Sequence, residues 1–327
     1  MREESDDPDR AWEADRTAVL ARDDHTCRRC GVATAREGSR TADPTASSAS
    51  GDRRSNPAAD TPASSAGSTE EPGRVTAVGD VPLQGSVHES ALVTVCEDCY
   101  GRLTGESAAT PLTDRDTLFE TMQAATTLQS EAISNVAAFA SLATTIPSRL
   151  QAAEDPQPDY VRERQDALVH LVAVDGTLDA LEAAVDDPAV ESLATDRPEP
   201  EAGGLGDALA AFCGTARGLQ EQLWEVVELA ETVAIGLGHC RGCFDGLELT
   251  RSATAGHEQP LLPQTCPTCR LERRAIDEWR REDGTVRFDG CYAAINAALQ
   301  ASSRTTTTLT VRTQTVAKRL LPGDRAG

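Results

Sequence analysis

Eight of the ten cysteines fall into four Cys-x-x-Cys pairs: Cys27/Cys30, Cys96/Cys99, Cys240/Cys243 and Cys266/Cys269. Two thiolates on one tight turn supply half of a tetrahedral metal site, so four turns give two complete Cys₄ sites, with zinc as the expected ion. Two small metal-stapled modules must therefore exist, and the rest of the chain must connect them. Zinc held by four thiolates has no open position for substrate, so these sites are expected to be structural.

Aromatic residues make up only 3% of the 327-residue chain, so its core must be built mainly from Leu, Val and Ala, which favours helices. The net charge is −22, and Lys318 is the only lysine. An acidic surface poor in Lys and rich in Asp, Thr and Ala resembles proteins of salt-accumulating halophilic archaea. At ~1 M salt the Debye length shrinks to ~3 Å, so such acidity serves solubility and leaves a nucleic-acid partner open. The start, Met-Arg-Glu-Glu-Ser-Asp-Asp, has no signal-peptide pattern, and no apolar run reaches the ~18 residues of a membrane span. A cytoplasmic protein with no membrane contact is the expectation, and there paired cysteines favour metal over disulfides.

Residues 10–21 can form a short helix leading into Cys27. From Ala33 to Arg74 there is no Val, Ile, Leu, Met or aromatic residue, so the insertion 33–74 is expected to be disordered. Val75 to Leu83 reads as a strand and turn, and Ala91 to Val95 leads into the second cysteine pair. Apolar residues from Leu118 to Ile146 recur at steps of three and four, and Pro147 is expected to end that helix. A second stripe runs from Leu168 to Val185 and is closed by Asp187 and Pro188. The third, Leu205 to Leu237, alternates steps of four and three in the pattern of a bundle or coiled-coil seam, with Cys213 beside it as a small buried hydrophobe. Leu271 to Arg281 reads as a charged helix and Cys291 to Gln300 as an Ala-rich one. Thr305 to Thr308 favour β structure.

The expected fold is mainly α, a helical hairpin or bundle flanked by two small Cys₄ zinc modules. The expected units are 1–105 (first zinc module), 114–238 (helices), 239–303 (second zinc module, a zinc ribbon with helices) and a tail, 304–327, of unassigned structure.

The segment Arg16-Thr-Ala-Val-Leu-Ala-Arg-Asp-Asp-His-Thr-Cys27-Arg-Arg-Cys30-Gly31 resembles the opening of zinc-containing HNH endonucleases. Ala91-Leu-Val-Thr-Val-Cys96-Glu-Asp-Cys99-Tyr100 resembles that family's second half, usually Asn-Leu-x-x-Leu-Cys-x-x-Cys-His. The resemblance covers about residues 10–102 and implies a ββα-metal module, a DNA-cleaving activity and a catalytic Mg²⁺. HNH chemistry needs a His base and a metal held by a second His with an Asp or Asn. The family's Asp-His-Ile-x-Pro segment aligns here with Val78-Gly79-Asp80-Val81-Pro82. Gly79 then takes the base position, Ala91 the Asn position and Tyr100 the final His position. His88 and Asp80 are the nearby candidates to substitute. The expected protein is a non-catalytic member of this group, with Mg²⁺ bound only if the nuclease is active.

Redox chemistry at one Cys-x-x-Cys is the alternative for the first quartet. His25, His239 and His257 are spare imidazoles beside sites that four thiolates already complete. Arg270, Arg273, Arg274, Arg280 and Arg281 form the most basic segment, suited either to phosphate contact or to pairing with the interspersed acids. The partners expected are therefore DNA or RNA at these arginines, or a protein along the helical region. The function classes that follow are a non-catalytic nucleic-acid-binding or scaffold protein, an active HNH-type endonuclease, and a zinc-bearing coiled-coil assembly protein without nucleic-acid contact.

Overall fold

Apolar side chains spaced three and four apart place one stripe along a helix, and three such stripes cannot be buried singly. In the computed structural model they are buried against one another. The structure describes residues 16–35, 73–81, 86–105, 112, 114–185, 187–193, 204–247, 250–251, 260–261 and 264–320. The elements in chain order are α1 (residues 16–22), β1 (Arg74–Ala77), β2 (Leu92–Val95), α2 (Glu97–Thr104), α3 (Arg115–Gln151), α4 (Gln157–Val185), α5 (Pro188–Glu191), α6 (Leu205–Gly236), β3 (Thr250–Arg251), β4 (Pro260–Leu261) and α7 (Phe288–Leu320). Helices α3, α4, α6 and α7 pack into one bundle. Along α6 the seam residues Leu209, Phe212, Ala216, Leu219, Leu223, Val226, Ala230 and Val233 are all fully buried within the chain. Cys213 is buried beside them, as expected.

Four sequence expectations change. Pro147 does not end α3, which continues to Gln151 with Ile146 fully buried. Asp187 and Pro188 close α4 by starting another helix, since Asp187 caps α5 through the amide of Ala189 at 2.8 Å. Leu271 to Arg281 is not a helix. It is irregular, with isolated bridges at Glu272 and Arg280 and a single 3₁₀ turn at Asp277–Trp279, and Ile276 is buried at 1% exposure. The fourth change concerns the tail, whose residues 304–320 are the second half of α7. The β-favouring Thr305–Thr308 are helical, each hydroxyl donating to the carbonyl four residues back. Leu309, Val316 and Leu320 seat that half against the bundle, and tertiary burial overrides propensity. The insertion 33–74 lies outside the described residues except at its ends, where Ala33 bridges Thr26 and Arg74 opens β1.

β1 and β2 pair antiparallel, Arg74 opposite Val95 and Ala77 opposite Leu92, and β2 runs straight into α2. Val93, Val95, Cys27 and Cys99 belong to the same apolar core as the bundle helices. The two cysteine modules are neighbours in space. Arg241, inside the third pair, binds Asp80, which follows β1, at 2.7 Å.

The first three turns of α4 serve both modules. Gln157 donates to the Cys243 carbonyl (3.0 Å) and Tyr160 Oη to the Arg241 carbonyl (2.8 Å). On the other side Gln165 Nε2 donates to the carbonyls of Ser90 and Leu92, both at 2.9 Å, and Asp166 holds Arg28 at 2.6 Å. Between these contacts lies Arg164, 2% exposed and bound to Glu231 at 2.8 Å.

Candidate metal centres

Three of the four cysteine pairs adopt one turn geometry. The amide of the residue four beyond the first cysteine donates to that cysteine's carbonyl: Gly31 to Cys27 (2.8 Å), Phe244 to Cys240 (3.0 Å) and Arg270 to Cys266 (2.9 Å). That fourth residue is left-handed each time, with φ +73°, +63° and +59°. Glycine accepts this backbone freely, whereas Phe244 and Arg270 hold it under strain. Phe244 is fixed by packing, since its ring stacks on His239 at 4.3 Å and lies 4.6 Å from that of Tyr160. His239 Nδ1 bonds the Phe244 carbonyl at 2.9 Å, so this imidazole braces the turn.

The fourth pair keeps the same bond, from the Tyr100 amide to the Cys96 carbonyl at 2.9 Å, but there the chain continues as a helix. Cys96 is the N-cap of α2 and Cys99 lies in its first turn. This is a strand-to-helix junction, which the sequence did not suggest. It belongs to an antiparallel hairpin, however, and its sulfurs meet those of Cys27 and Cys30.

All four Sγ atoms of each quartet lie within 4.8 Å of one another. A tetrahedron with Zn–S near 2.3 Å has edges of ~3.8 Å. The separations observed are 3.7 Å for Cys30–Cys96, 3.6 Å for Cys243–Cys266 and 3.4 Å for Cys240–Cys269. These are far beyond a disulfide bond of ~2.05 Å, and the donors fit a tetrahedral metal. The expected ligands Cys27, Cys30, Cys96, Cys99, Cys240, Cys243, Cys266 and Cys269 are thus brought together in the expected fours. Supporting donors point at the sulfurs. The Gly242 amide reaches Cys240 Sγ at 3.3 Å, and Arg29 Nη1 reaches Cys99 Sγ at 3.1 Å.

Sulfurs packed this closely share protons unevenly. The Cys99 thiol holds Cys27 down at about 4, while burial pushes Cys30 up to about 11. In the second quartet Cys240 and Cys243 hold Cys269 at about 7, and Cys240 drives Cys243 upward. A divalent cation replaces the remaining protons, so metal affinity falls in acid. The sites also differ in access, because Cys30 is exposed whereas the whole second quartet is buried.

The other candidates do not assemble into a centre. Asp80 is engaged by Arg241. His88 caps a 3₁₀ turn at Glu89–Ala91, its Nδ1 accepting the Ser90 amide at 3.2 Å. Among the described residues, the two Cys₄ groups are the only sets of three or more His, Cys, Asp or Glu placed to hold a metal. His25 is left-handed at φ +51° and belongs to neither set. His257 lies outside the described residues.

The arginine segment is largely turned onto its own chain. Arg274 reaches the Glu228 carbonyl and Glu231, Arg280 the Gly284 carbonyl, and Arg281 Asp289. Arg273 is half-buried, and burial pulls its guanidinium below the usual arginine range. Arg270 is exposed at the end of the fourth cysteine turn.

Sequence reasoning missed the support around these sites: Arg29 on the sulfur, Gln157, Tyr160 and Gln165 on α4, and Glu231 beneath Arg241. A buried polar residue inside an apolar helix pattern leaves no local signal. Among the described residues, no helix is long and apolar enough to cross a membrane. Comparison of the chain with protein-family models, with curated proteins and with solved structures finds no match.

Proposed function

We propose that this is a non-catalytic zinc protein whose first module resembles the HNH fold and whose second is a zinc ribbon, the pair forming a binding platform on the helical bundle. Four thiolates in a tetrahedron suit zinc over Mg²⁺ or Ca²⁺, and tetrahedral sulfur is otherwise a setting for iron. Elemental analysis of the purified protein is expected to give about two zinc per chain and negligible iron; one zinc, or iron in its place, overturns this assignment.

The observation that carries the non-catalytic reading is at Gly79, where the resemblance puts the water-activating histidine. Its φ is +74°, and a Cβ there would come 2.7 Å from Cδ1 of the buried Leu168, so a side chain could be seated only with strained backbone and a shift of Leu168. Ala91, at the Asn position, is buried at 9% exposure, and Tyr100, at the final His position, carries the Arg74 guanidinium 4.9 Å over its ring. The hairpin and helix are thus used for packing where a nuclease would display ligands. Supercoiled plasmid incubated with Mg²⁺ or Mn²⁺, at low and high KCl, is expected to stay uncut. Cleavage that disappears in His88→Ala would restore the endonuclease reading.

A further inference from the structure

Charge is segregated along this chain. The whole protein carries −22, yet residues 290–320 contain no Asp or Glu, and their charges are Arg304, Arg312, Lys318 and Arg319. This stretch is nearly all of α7. Its apolar side, with Ile295, Ala298, Leu309, Val316 and Leu320, is buried in the bundle. On the opposite side every exposed residue from Ala293 to Lys318 is neutral or basic. Residues 132–153 of α3 also lack Asp and Glu, but they carry Arg149 alone, whereas this face of α7 adds a row of cations.

At ~100° per residue, Arg304, Arg312 and Lys318 fall within one third of the helix circumference, and at 1.5 Å per residue they lie ~12 Å and ~9 Å apart along the axis. All three are exposed and form no ion pair among the described residues; Arg319, by contrast, donates to the Gly204 carbonyl. The threonine hydroxyls on this face point back to the helix. Thr307 bonds Ser303, Thr308 bonds Arg304 and Thr315 bonds Val311. With Val311 56% exposed, the surface offered is cations set among methyl groups.

We propose that this face of α7 docks a nucleic-acid backbone, with Arg304, Arg312 and Lys318 each meeting one phosphate. A row of cations at unequal spacing suits a partner whose negative charge repeats closely along a line. Nucleic acid supplies a phosphate every ~3.4 Å of axis per strand, so every cation finds one at any register. A second copy of α7 laid antiparallel would set Arg304 against Lys318, which repels. The proposal rests on the protein acting by binding rather than cutting, and it is tested without divalent ions so that the cleavage result stands apart.

Fluorescence anisotropy with a mixed-sequence duplex of about 20 base pairs is measured from about 50 to about 200 mM KCl. Three phosphate contacts predict a slope of log affinity against log salt of about −2.7, an affinity loss of about 40-fold over that range. Each of Arg304→Gln, Arg312→Gln and Lys318→Gln should lower the slope by about 0.9, and the triple variant should abolish binding. The charge-keeping variant R304K/R312K should retain the slope. No binding near 50 mM KCl, or an unchanged slope in the triple variant, overturns the proposal. Tighter binding of poly-glutamate than of DNA also overturns it, in favour of an acidic protein partner.

Discussion

Cys266→Ser is expected to empty the second metal site and unravel the chain around it, leaving about one zinc per chain. The apolar cluster at this site consists of Cys240, Cys243, Cys266 and Cys269 with only Leu247 and Leu271. The Cys240 turn is also anchored through Phe244, Gln157 and Tyr160, so the loss should fall mainly on the Cys266 turn, which two leucines at roughly 1.5–3 kcal/mol each cannot hold alone. Structural zinc contributes an apparent ~10–16 kcal/mol at pH 7, comparable with the whole stability of a typical domain. Hydrogen exchange should show lost protection most at the Cys266 amide and less at the Cys240 and Leu247 amides, whose bonds close the turns. Helix content should change little, because α3, α6 and α7 share their own core. Retention of two zinc ions with unchanged protection would refute the role given to this site. Cys30→Ser should be milder, since it alters an exposed corner of a module anchored to the bundle by Val93 and Val95.

Glu231→Ala should destabilise the fold by about 3–5 kcal/mol, the usual cost of leaving a buried charge without its partner. Glu231 is 3% exposed and holds Arg164 at 2.8 Å, Arg241 at 3.3 Å and Arg274 at 3.4 Å. Burial alone would draw the Arg164 guanidinium toward neutrality, but Glu231 outweighs it and keeps its pKa above the ordinary value. Without that carboxylate, Arg164 and Arg241 face each other across the junction of the two modules. Denaturant melts should locate the loss, and replacing both Glu231 and Arg164 by Met should recover most of it. A single variant as stable as the parent would show that the network contributes nothing.

The sequence yielded what is local and periodic. Cys-x-x-Cys spacing is a local signal, and the α6 seam repeats without error, so the eight paired cysteines and the helical character were readable directly. Pairing between distant positions was not. Asp80 and Arg241 are 161 residues apart, and nothing near either indicates the other. The segment Leu271 to Arg281 misled because its acids and bases fit helical spacing, whereas Arg274 is bonded instead to Glu228 and Glu231. Threonines 305–308 misled in the opposite sense, as propensity pointed to strand and burial of Leu309 and Val316 decided for helix. The resemblance set Gly79 where a histidine is expected, but the obstruction by Leu168 depends on how α4 lies across the hairpin.

Helix α4 also determines how this chain can be divided. The boundary near residue 105 looks like a seam between separable parts, yet an isolated fragment ending there would bare Val93, Val95 and Cys99, which the bundle covers. A fragment starting at α6 would likewise strand Phe244 without Tyr160 and the Cys243 carbonyl without Gln157. Evolutionary shuffling of either finger into another protein would therefore have to carry the first three turns of this helix along.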